Sequence, residues 1–452
     1  ADQLWEGKYY IPDNVIVNVV GATVDLTNVD IIFGECAGMV FSRDAEVRVN
    51  NSVFRPCDMN TTWLGFAFKD QAHGVINEST FKNAQVALDF QDMDAVYVRV
   101  ANNLFENCRV GIGTKSVTFM DGITGNTFNV DRNEINYRVD CNSPYGAPVL
   151  SGGTYAQDHW GILSLKTRFV GNVSQNDFVS IQEGSGIGTG KKFYGISLID
   201  QSTATVSDNN FTDMYRSIDI NKSYNVNVDN NEIEVNSIDP TAAFVSEHQI
   251  RSSASSSIHV TSNAMLYGYK FQQNNVSWNS HSAIYFEDVS RSSITNNTIT
   301  GFESGIQMIK TTNQTVKENQ LADIGSCGIH VAYGSSIVVM CNTINMEDDY
   351  RTTALGIYYI VAEREDQRVR FSGNCVFEAS TSILVEGSPG ACAALPLITN
   401  NFLYNYTEFG VDGRYVQGNI GTAGSAASGG RNTFASNNTG LGAIDIRAIS
   451  CP

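Results

Sequence analysis

The stretch that decides the fold is residues 296–344, which read NNTITGFESGIQMIKTTNQTVKENQLADIGSCGIHVAYGSSIVVMCNTI. It holds three copies of an Asn-containing turn closed by an apolar residue. The closing residues are Ile299, Leu321 and Ile344, which lie 22 and 23 residues apart. Between the turns a small residue precedes an apolar–x–apolar phrase. These phrases are Gly305-Ile306-Gln307-Met308 and Gly328-Ile329-His330-Val331. The alternation predicts strands with one buried and one outward face.

The same two phrases recur along most of the chain. Further turns are Asn50-Asn51-Ser52-Val53-Phe54, Asn102-Asn103-Leu104-Phe105, Gly125-Asn126-Thr127-Phe128, Asn209-Asn210-Phe211, Asn230-Asn231-Glu232-Ile233, Gly373-Asn374-Cys375-Val376-Phe377, Asn400-Asn401-Phe402 and Asn432-Thr433-Phe434. A repeat of about 22–25 residues fits one coil of a three-sided β-solenoid, whereas helical repeats would show 3.6-residue apolar spacing. The sequence therefore predicts an all-β fold, a single-stranded right-handed parallel β-helix.

The Asn of the turn has a structural role in this interpretation. Its short amide tolerates left-handed backbone and bonds to its own turn. Copies stacked coil upon coil are expected to bond to one another along the axis.

We predict one β-helix domain over residues 1–452. Its first coils occupy 1–54, and a C-terminal coil or frayed end occupies 421–452. The coils of 55–420 carry loop insertions near 55–62, 140–158, 183–192, 235–268 and 346–353. Insertions in solenoids map to loops that often form a binding face.

The amino-acid composition argues against some classes of binding partner. The net charge of −18 is spread along the chain, which argues against nucleic acid and against adsorption to an anionic membrane. No apolar run approaches the length of a membrane span. Residues 1–5 lack a signal-peptide pattern, so any targeting segment is removed or lies outside this piece. The nine cysteines form no CxxC pair, which favours buried thiols or disulfides over a metal site.

The Asn-turn and Gly-Ile-x-apolar phrases together resemble the right-handed parallel β-helix proteins of the pectate-lyase-like superfamily. The resemblance covers roughly residues 11–450 and implies a fold shared by lyases, epimerases, hydrolases, tailspikes and passive adhesins. The chain also resembles β-helix segments of large exported bacterial surface proteins, which implies an extracellular or cell-surface location, possible membership of a larger polypeptide, and glycans or other surface proteins as partners.

The superfamily's catalytic sets are missing from the sequence. The adjacent aspartates Asp348-Asp349 lie in an insertion, and Asp239-Pro240 is followed by Thr241 rather than by His-Asp. Polygalacturonase and pectate-lyase signatures are also missing. These departures weigh against the known catalytic machineries of the resembled enzymes.

Two groups of side chains remain as candidate sites. An exposed column of Tyr285, Gln307 and His330 on successive coils, with Asp219 on the same side further back, offers an acid and a base for lyase chemistry. We expect no Arg or Lys in this column. Weak candidates for Ca²⁺ ligands, the only cofactor considered, are Glu287, Asp288, Glu347, Asp348 and Asp349.

The leading hypothesis is an exported, non-catalytic β-helix that serves as a stalk or adhesin contacting glycans or proteins. The alternative is a polysaccharide lyase or glycoside hydrolase acting on an acidic polysaccharide. A basic residue beside His and Tyr in one groove would favour the alternative.

Overall fold

A computed structural model describes residues 3–59, 61–131, 158–181, 192–236, 248–268, 281–346, 354–361, 368–388, 393–417, 432–435 and 444–449. The chain divides into two compact units, and each is considered by itself. Unit 1 comprises residues 1–227 with 237–245, and unit 2 comprises 228–236 with 246–452. The single domain over residues 1–452 stays a prediction.

The regular structure in the described ranges is all β-strand. In chain order, the strands that begin in unit 1 are β1 (Gln3–Ile11), β2 (Ile16–Val20), β3 (Thr23–Phe33), β4 (Gly38–Ser42), β5 (Glu46–Asn50), β6 (Val53–Pro56), β7 (Gly65–Phe68), β8 (His73–Asn77), β9 (Thr80–Lys82), β10 (Val86–Gln91), β11 (Val98–Ala101), β12 (Leu104–Glu106), β13 (Val110–Lys115), β14 (Thr118–Phe119), β15 (Ile123–Thr124), β16 (Thr127–Asp131), β17 (His159–Leu165), β18 (Arg168–Phe169), β19 (Val173–Ser174), β20 (Asp177–Ile181), β21 (Phe193–Ile199), β22 (Ala204–Ser207), β23 (Asn210–Thr212), β24 (Arg216–Asn221) and β25 (Tyr224–Asp229).

The strands of unit 2 are β26 (Glu232–Val235), β27 (Ile250–Ser253), β28 (Ser256–Thr261), β29 (Ala264–Tyr267), β30 (Ser282–Glu287), β31 (Ser290–Thr295), β32 (Thr298–Thr300), β33 (Ser304–Ile309), β34 (Thr312–Lys317), β35 (Gln320–Ile324), β36 (Cys327–Ala332), β37 (Ser335–Met340), β38 (Thr343–Met346), β39 (Leu355–Ile360), β40 (Arg370–Ser372), β41 (Cys375–Phe377), β42 (Thr381–Glu386), β43 (Ala393–Ala394), β44 (Leu397–Thr399), β45 (Phe402–Tyr404), β46 (Phe409–Arg414), β47 (Val416–Gln417), β48 (Thr433–Ala435) and β49 (Ile444–Ile449).

Most coils contribute one strand to a first sheet and two strands, flanking the Asn turn, to a second. In unit 1 the first sheet, here called sheet 1, runs β2-β4-β7-β10-β13-β17-β21-β24. In unit 2 sheet 1 runs β27-β30-β33-β36-β39-β42-β46-β49. Each strand pairs in parallel with the strand one coil away, as β30 does with β33 and β33 with β36. The predicted parallel β-helix is confirmed.

Two successive residues of the Asn turn have different structural roles. In the turn between β31 and β32, Asn296 adopts the left-handed conformation with φ 56°. The next residue, Asn297, donates from Nδ2 to Oδ1 of Asn319 at 2.9 Å and to the carbonyl of its own turn at Thr295. The amide ladder is thus as predicted, but the left-handed position is the residue before the ladder Asn.

Each unit contains an amide ladder in its described residues. In unit 1 it joins Asn103, Asn126, Asn176 and Asn209, and in unit 2 it joins Asn231, Asn263, Asn297, Asn319, Asn342, Asn374, Asn401 and Asn432. Every Nδ2-to-Oδ1 distance in it is 2.9 or 3.0 Å. The ladder fixes the register of successive coils.

The small residue of the strand phrase makes room for the residue that closes the turn. A Cβ on Gly161 would lie 2.4 Å from Cε1 of Phe178, and one on Gly328 would lie 2.5 Å from Cγ2 of Ile344. In unit 1 the closing phenylalanines stack coil upon coil, with Phe128 and Phe178 centroids 4.7 Å apart. The small residue therefore points inward, and the next outward position is the x of the phrase.

The predicted insertions have mixed outcomes. Most of 140–158, 183–192 and 346–353 lies outside the described residues. The predicted insertion at 235–268 is wrong for residues 248–268, where β27, β28 and β29 are the three strands of one coil. The alternation of apolar residues is not visible in this coil because serine occupies an inward-pointing position. Ser252 is in register with Phe286 and is fully buried.

Two further observations concern the described residues of both units. Cys36 is disulfide-bonded, and Cys57, Cys108, Cys327, Cys341 and Cys375 are free thiols. In the described ranges no helix is long and apolar enough to span a membrane.

Candidate functional site

Sheet 1 of unit 2 carries a column of outward side chains, one from each coil. In register along it stand Arg251, Tyr285, Gln307, His330, Tyr358, Leu384, Asp412 and Arg447. Tyr285, Gln307 and His330 therefore occupy successive coils, as the repeat spacing predicts. Asp219 lies on β24 in unit 1, where its carboxylate is 3.5 Å from Arg216.

The column is less exposed than the sequence predicts. Gln307 is 0% exposed, His330 is 9% exposed, and Tyr285 is half-buried. The prediction of an exposed, solvated column is therefore wrong for Gln307 and His330. Because buried polar groups are held in fixed geometry, the column resembles a site more than a solvated face.

The prediction that no basic residue stands in the column is also wrong. Arg251 on β27 is the register partner of Tyr285 on β30. A guanidinium can pair with a carboxylate through two parallel hydrogen bonds. Sequence reasoning missed Arg251 because residues 235–268 were assigned to an insertion.

A histidine completes this group from the residue two positions before β27. The His248 ring stacks on the Tyr285 ring with centroids 4.0 Å apart and an interplanar angle of 8°. Its Nδ1 lies 2.7 Å from Oγ of Ser282, which fixes the orientation of the ring. We name His248, Arg251, Ser282, Tyr285 and Glu287 the Arg251 cluster.

Tyr285 keeps its phenolic proton throughout the neutral range. Burial and the neighbouring Glu287 carboxylate together raise the pKa of Tyr285 to about 12, against the opposing effect of Arg251. The hydroxyl also makes a hydrogen bond to Glu287. The side chain is thus suited to give a proton rather than to abstract one.

A second buried polar pair stands on the following coils. Nδ1 of His281 lies 3.2 Å from Oε2 of Glu303, and the two residues are 5% and 7% exposed. Of the six histidines in the chain, His330 lies on β36 of sheet 1, and His248 and His281 lie just before β27 and β30 of the same sheet in unit 2. This concentration marks one face of unit 2 as the candidate site.

His330 is a buried neutral imidazole. Burial lowers its pKa to about 4, so the ring carries no charge at neutral pH. The ring stacks on Tyr358 with centroids 5.0 Å apart, and no partner for its Nε2 occurs among the described residues.

The burial of His330 predicts a pH-dependent stability. An imidazole with a pKa near 6.5 in the unfolded chain and about 4 in the fold binds its proton more readily when unfolded. Wild type should therefore lose up to about 3 kcal/mol relative to His330→Gln as the pH falls from 7 to 4. Urea unfolding of both proteins across this range measures the difference. A difference that does not change with pH would contradict the buried neutral ring.

The candidate calcium ligands remain a prediction. Glu347, Asp348 and Asp349 lie outside the described residues. Within the described part of the chain, Glu287 and Asp288 belong to no group of three or more acidic, His or Cys side chains able to hold a metal ion.

Comparison with known proteins bears on the fold. A family model described as a right-handed β-helix region matches residues 237–403. The fold is a right-handed parallel β-helix. No curated protein matches the chain.

Similar solved structures are distant. A periplasmic alginate epimerase, AlgG, is 10% identical with a TM-score of 0.34, and the match covers 98% of this chain and 78% of that one. A mannuronic-acid-specific family 6 polysaccharide lyase from human gut microbiota is 12% identical with a TM-score of 0.32, covering 91% and 82%. The Dettilon tailspike protein is 12% identical with a TM-score of 0.29, covering 94% and 62%. Similarities this distant assign no activity.

Proposed function

We propose that unit 2 binds an acidic polysaccharide along sheet 1 and cleaves it by β-elimination at the Arg251 cluster. One observation carries the proposal: Arg251, Tyr285 and His248 meet within one coil step, and the His248 and Tyr285 rings are 4.0 Å apart. β-Elimination needs a cation to neutralise the uronate carboxylate. It also needs a base to abstract the proton on the adjacent carbon and an acid to protonate the leaving oxygen.

Each group has a role in this reaction. Arg251 pairs with the substrate carboxylate and stabilises the charge that develops on it when the neighbouring carbon loses its proton. The imidazole of His248, oriented by Ser282, accepts that proton. The Tyr285 hydroxyl donates its proton to the glycosidic oxygen as the carbon–oxygen bond breaks and a carbon–carbon double bond forms. Solvent exchange then returns both side chains to their starting states.

Export of the chain is part of the proposal. The disulfide at Cys36 supports it, because disulfides persist in oxidising compartments outside the cytoplasm. An extracellular or cell-surface location would bring the protein to polymeric glycans, and other surface proteins are the second class of partner in this proposal. The non-catalytic stalk or adhesin is the second candidate, favoured by the amide ladders that each unit contains irrespective of any site.

An ultraviolet assay for unsaturated uronate ends tests the proposal. Wild type should release such ends from at least one of polygalacturonate, polymannuronate and polyguluronate, and activity should persist in excess chelator. Tyr285→Phe removes only the acidic hydroxyl and should lower kcat by about 100-fold or more. Tyr333→Phe is the matched control, because Tyr333 is exposed in a turn outside sheet 1. Binding without any release of unsaturated ends would return the protein to the non-catalytic class.

A further inference from the structure

The column continues beyond the Arg251 cluster into a second aromatic stack. Tyr358 on β39 is the register partner of His330 on β36, and the two rings are nearly parallel at 8°. The Tyr358 hydroxyl donates to Oε2 of Glu386 at 2.7 Å, which holds the phenol in place. Cys327, Leu355 and Leu384 pack against Tyr358 as an apolar backing. The stack is thus rigid and half apolar.

His330 also carries an unsatisfied polar atom. The residue is 9% exposed, and its Nε2 has no hydrogen-bond partner among the described residues. A buried polar atom without a partner is costly, so such atoms commonly mark a place for a ligand or water. A neutral imidazole offers one donor and one acceptor, which suits a hydroxyl group rather than a carboxylate.

We propose that the His330–Tyr358 stack is a second saccharide subsite that binds the hydroxylated, uncharged face of a sugar in the chain cleaved at the Arg251 cluster. This inference rests on the proposed function. The stack lies two to three coils from Tyr285, about 10–14 Å along the axis, in the same column. A polysaccharide lying along the column touches both places, whereas a disaccharide reaches only one. The substrate is therefore a polymer. Arg251 binds its carboxylate, and the His330–Tyr358 stack binds its hydroxyl groups.

Kinetics on oligouronates of increasing length test the subsite. His330→Phe keeps an aromatic ring in the stack and removes Nε2. It should raise KM about 10-fold for the hexasaccharide, leave kcat within about twofold, and leave the parameters for the disaccharide unchanged. His259→Phe is the matched control, since His259 lies on β28 in the second sheet of unit 2 and should change neither value. An equal change for short and long substrates, or a fall in kcat alone, would overturn the subsite.

A binding measurement separates this inference from the proposed function. Arg251→Ala and the double variant with His330→Phe are titrated calorimetrically with hexamannuronate and hexagalacturonate. About 10-fold weaker binding by the double variant supports the subsite even if wild type shows no lyase activity. Equal affinities of the two proteins overturn the subsite even if wild type is an active lyase, and no binding of either hexasaccharide by wild type overturns it too. Thermal unfolding of each variant establishes that it is folded.

Discussion

Arg251→Ala is expected to lower kcat/KM for an acidic polysaccharide by about 10²–10³-fold. The reason is electrostatic. Loss of the proton next to a carboxylate places a second negative charge on the substrate, and Arg251 is the cation in register with the phenol of Tyr285. Release of unsaturated ends by the purified variant, compared with wild type at several substrate concentrations, gives the value.

Two further substitutions show whether the charge or its geometry is responsible. Arg251→Lys keeps a cation but loses the planar fork, so it should recover only part of the rate. Arg370→Ala removes an exposed arginine from β40 in the second sheet of unit 2 and should leave the rate within about twofold. Equal losses from Arg251→Ala and Arg370→Ala would indicate general attraction of a polyanion by positive charge. That outcome would remove Arg251 from the reaction.

The fold could be predicted almost completely from local sequence. The ladder Asn, the closing apolar residue and the small residue before the sheet 1 strand are each required by contacts within one coil or with the next coil. Gly328 is small because Ile344 of the same coil occupies the space of its missing side chain. Such constraints repeat with the coil, so a period of 22 or 23 residues is enough to reveal them. The left-handed residue was misplaced by one position because Asn commonly occurs at both places in the turn.

The sequence predicted only part of the candidate site, although the spacing of the repeat could also have located Arg251. The apolar residue of the sheet 1 strand lies 13 residues before the ladder Asn in Ile284 and Asn297, and likewise in Ile306 and Asn319. Ile250 stands in the same relation to Asn263. Counting back from the ladder would have placed Arg251 in the column despite the serines that hide the strand.

Other features of the site depend on tertiary structure that no local pattern encodes. His248 lies outside the strand that follows it, so its stacking on Tyr285 depends on how the chain turns into β27. The burial of Gln307 and His330 likewise depends on how the neighbouring side chains of the column pack against them, as Tyr358 does against His330. The repeat specifies which side chains point outward, but not which of them become buried.

The amide ladder of unit 2 predicts a second large effect, this time on stability. Asn297→Ala should lower the free energy of unfolding of unit 2 by at least about 3 kcal/mol. Asn297 is fully buried. Its Nδ2 donates to Asn319 and to the carbonyls of Thr295 and Val260, and its Oδ1 accepts from the backbone N–H and the amide of Asn263. Alanine would leave several of these groups buried without a partner, and each such group costs about 1–3 kcal/mol. Urea unfolding followed by circular dichroism measures the loss.

A substitution at the neighbouring turn residue distinguishes the contribution of the ladder to stability from that of the turn. Asn296→Gly changes the exposed left-handed residue and should alter stability by less than about 0.5 kcal/mol, because glycine adopts that backbone freely. Asn297→Ser should lie between the two, since Ser52 and Ser79 occupy ladder positions in unit 1, where the Ser79 hydroxyl accepts from the N–H of Ser52. If Asn297→Ala lowered the free energy of unfolding no more than Asn296→Gly, the stacked amides would be a by-product of the coil and would not set its register.

In a solenoid each coil contacts only its neighbours. Loss of one Asn from the middle of the ladder should therefore also divide the unfolding of unit 2 into two transitions.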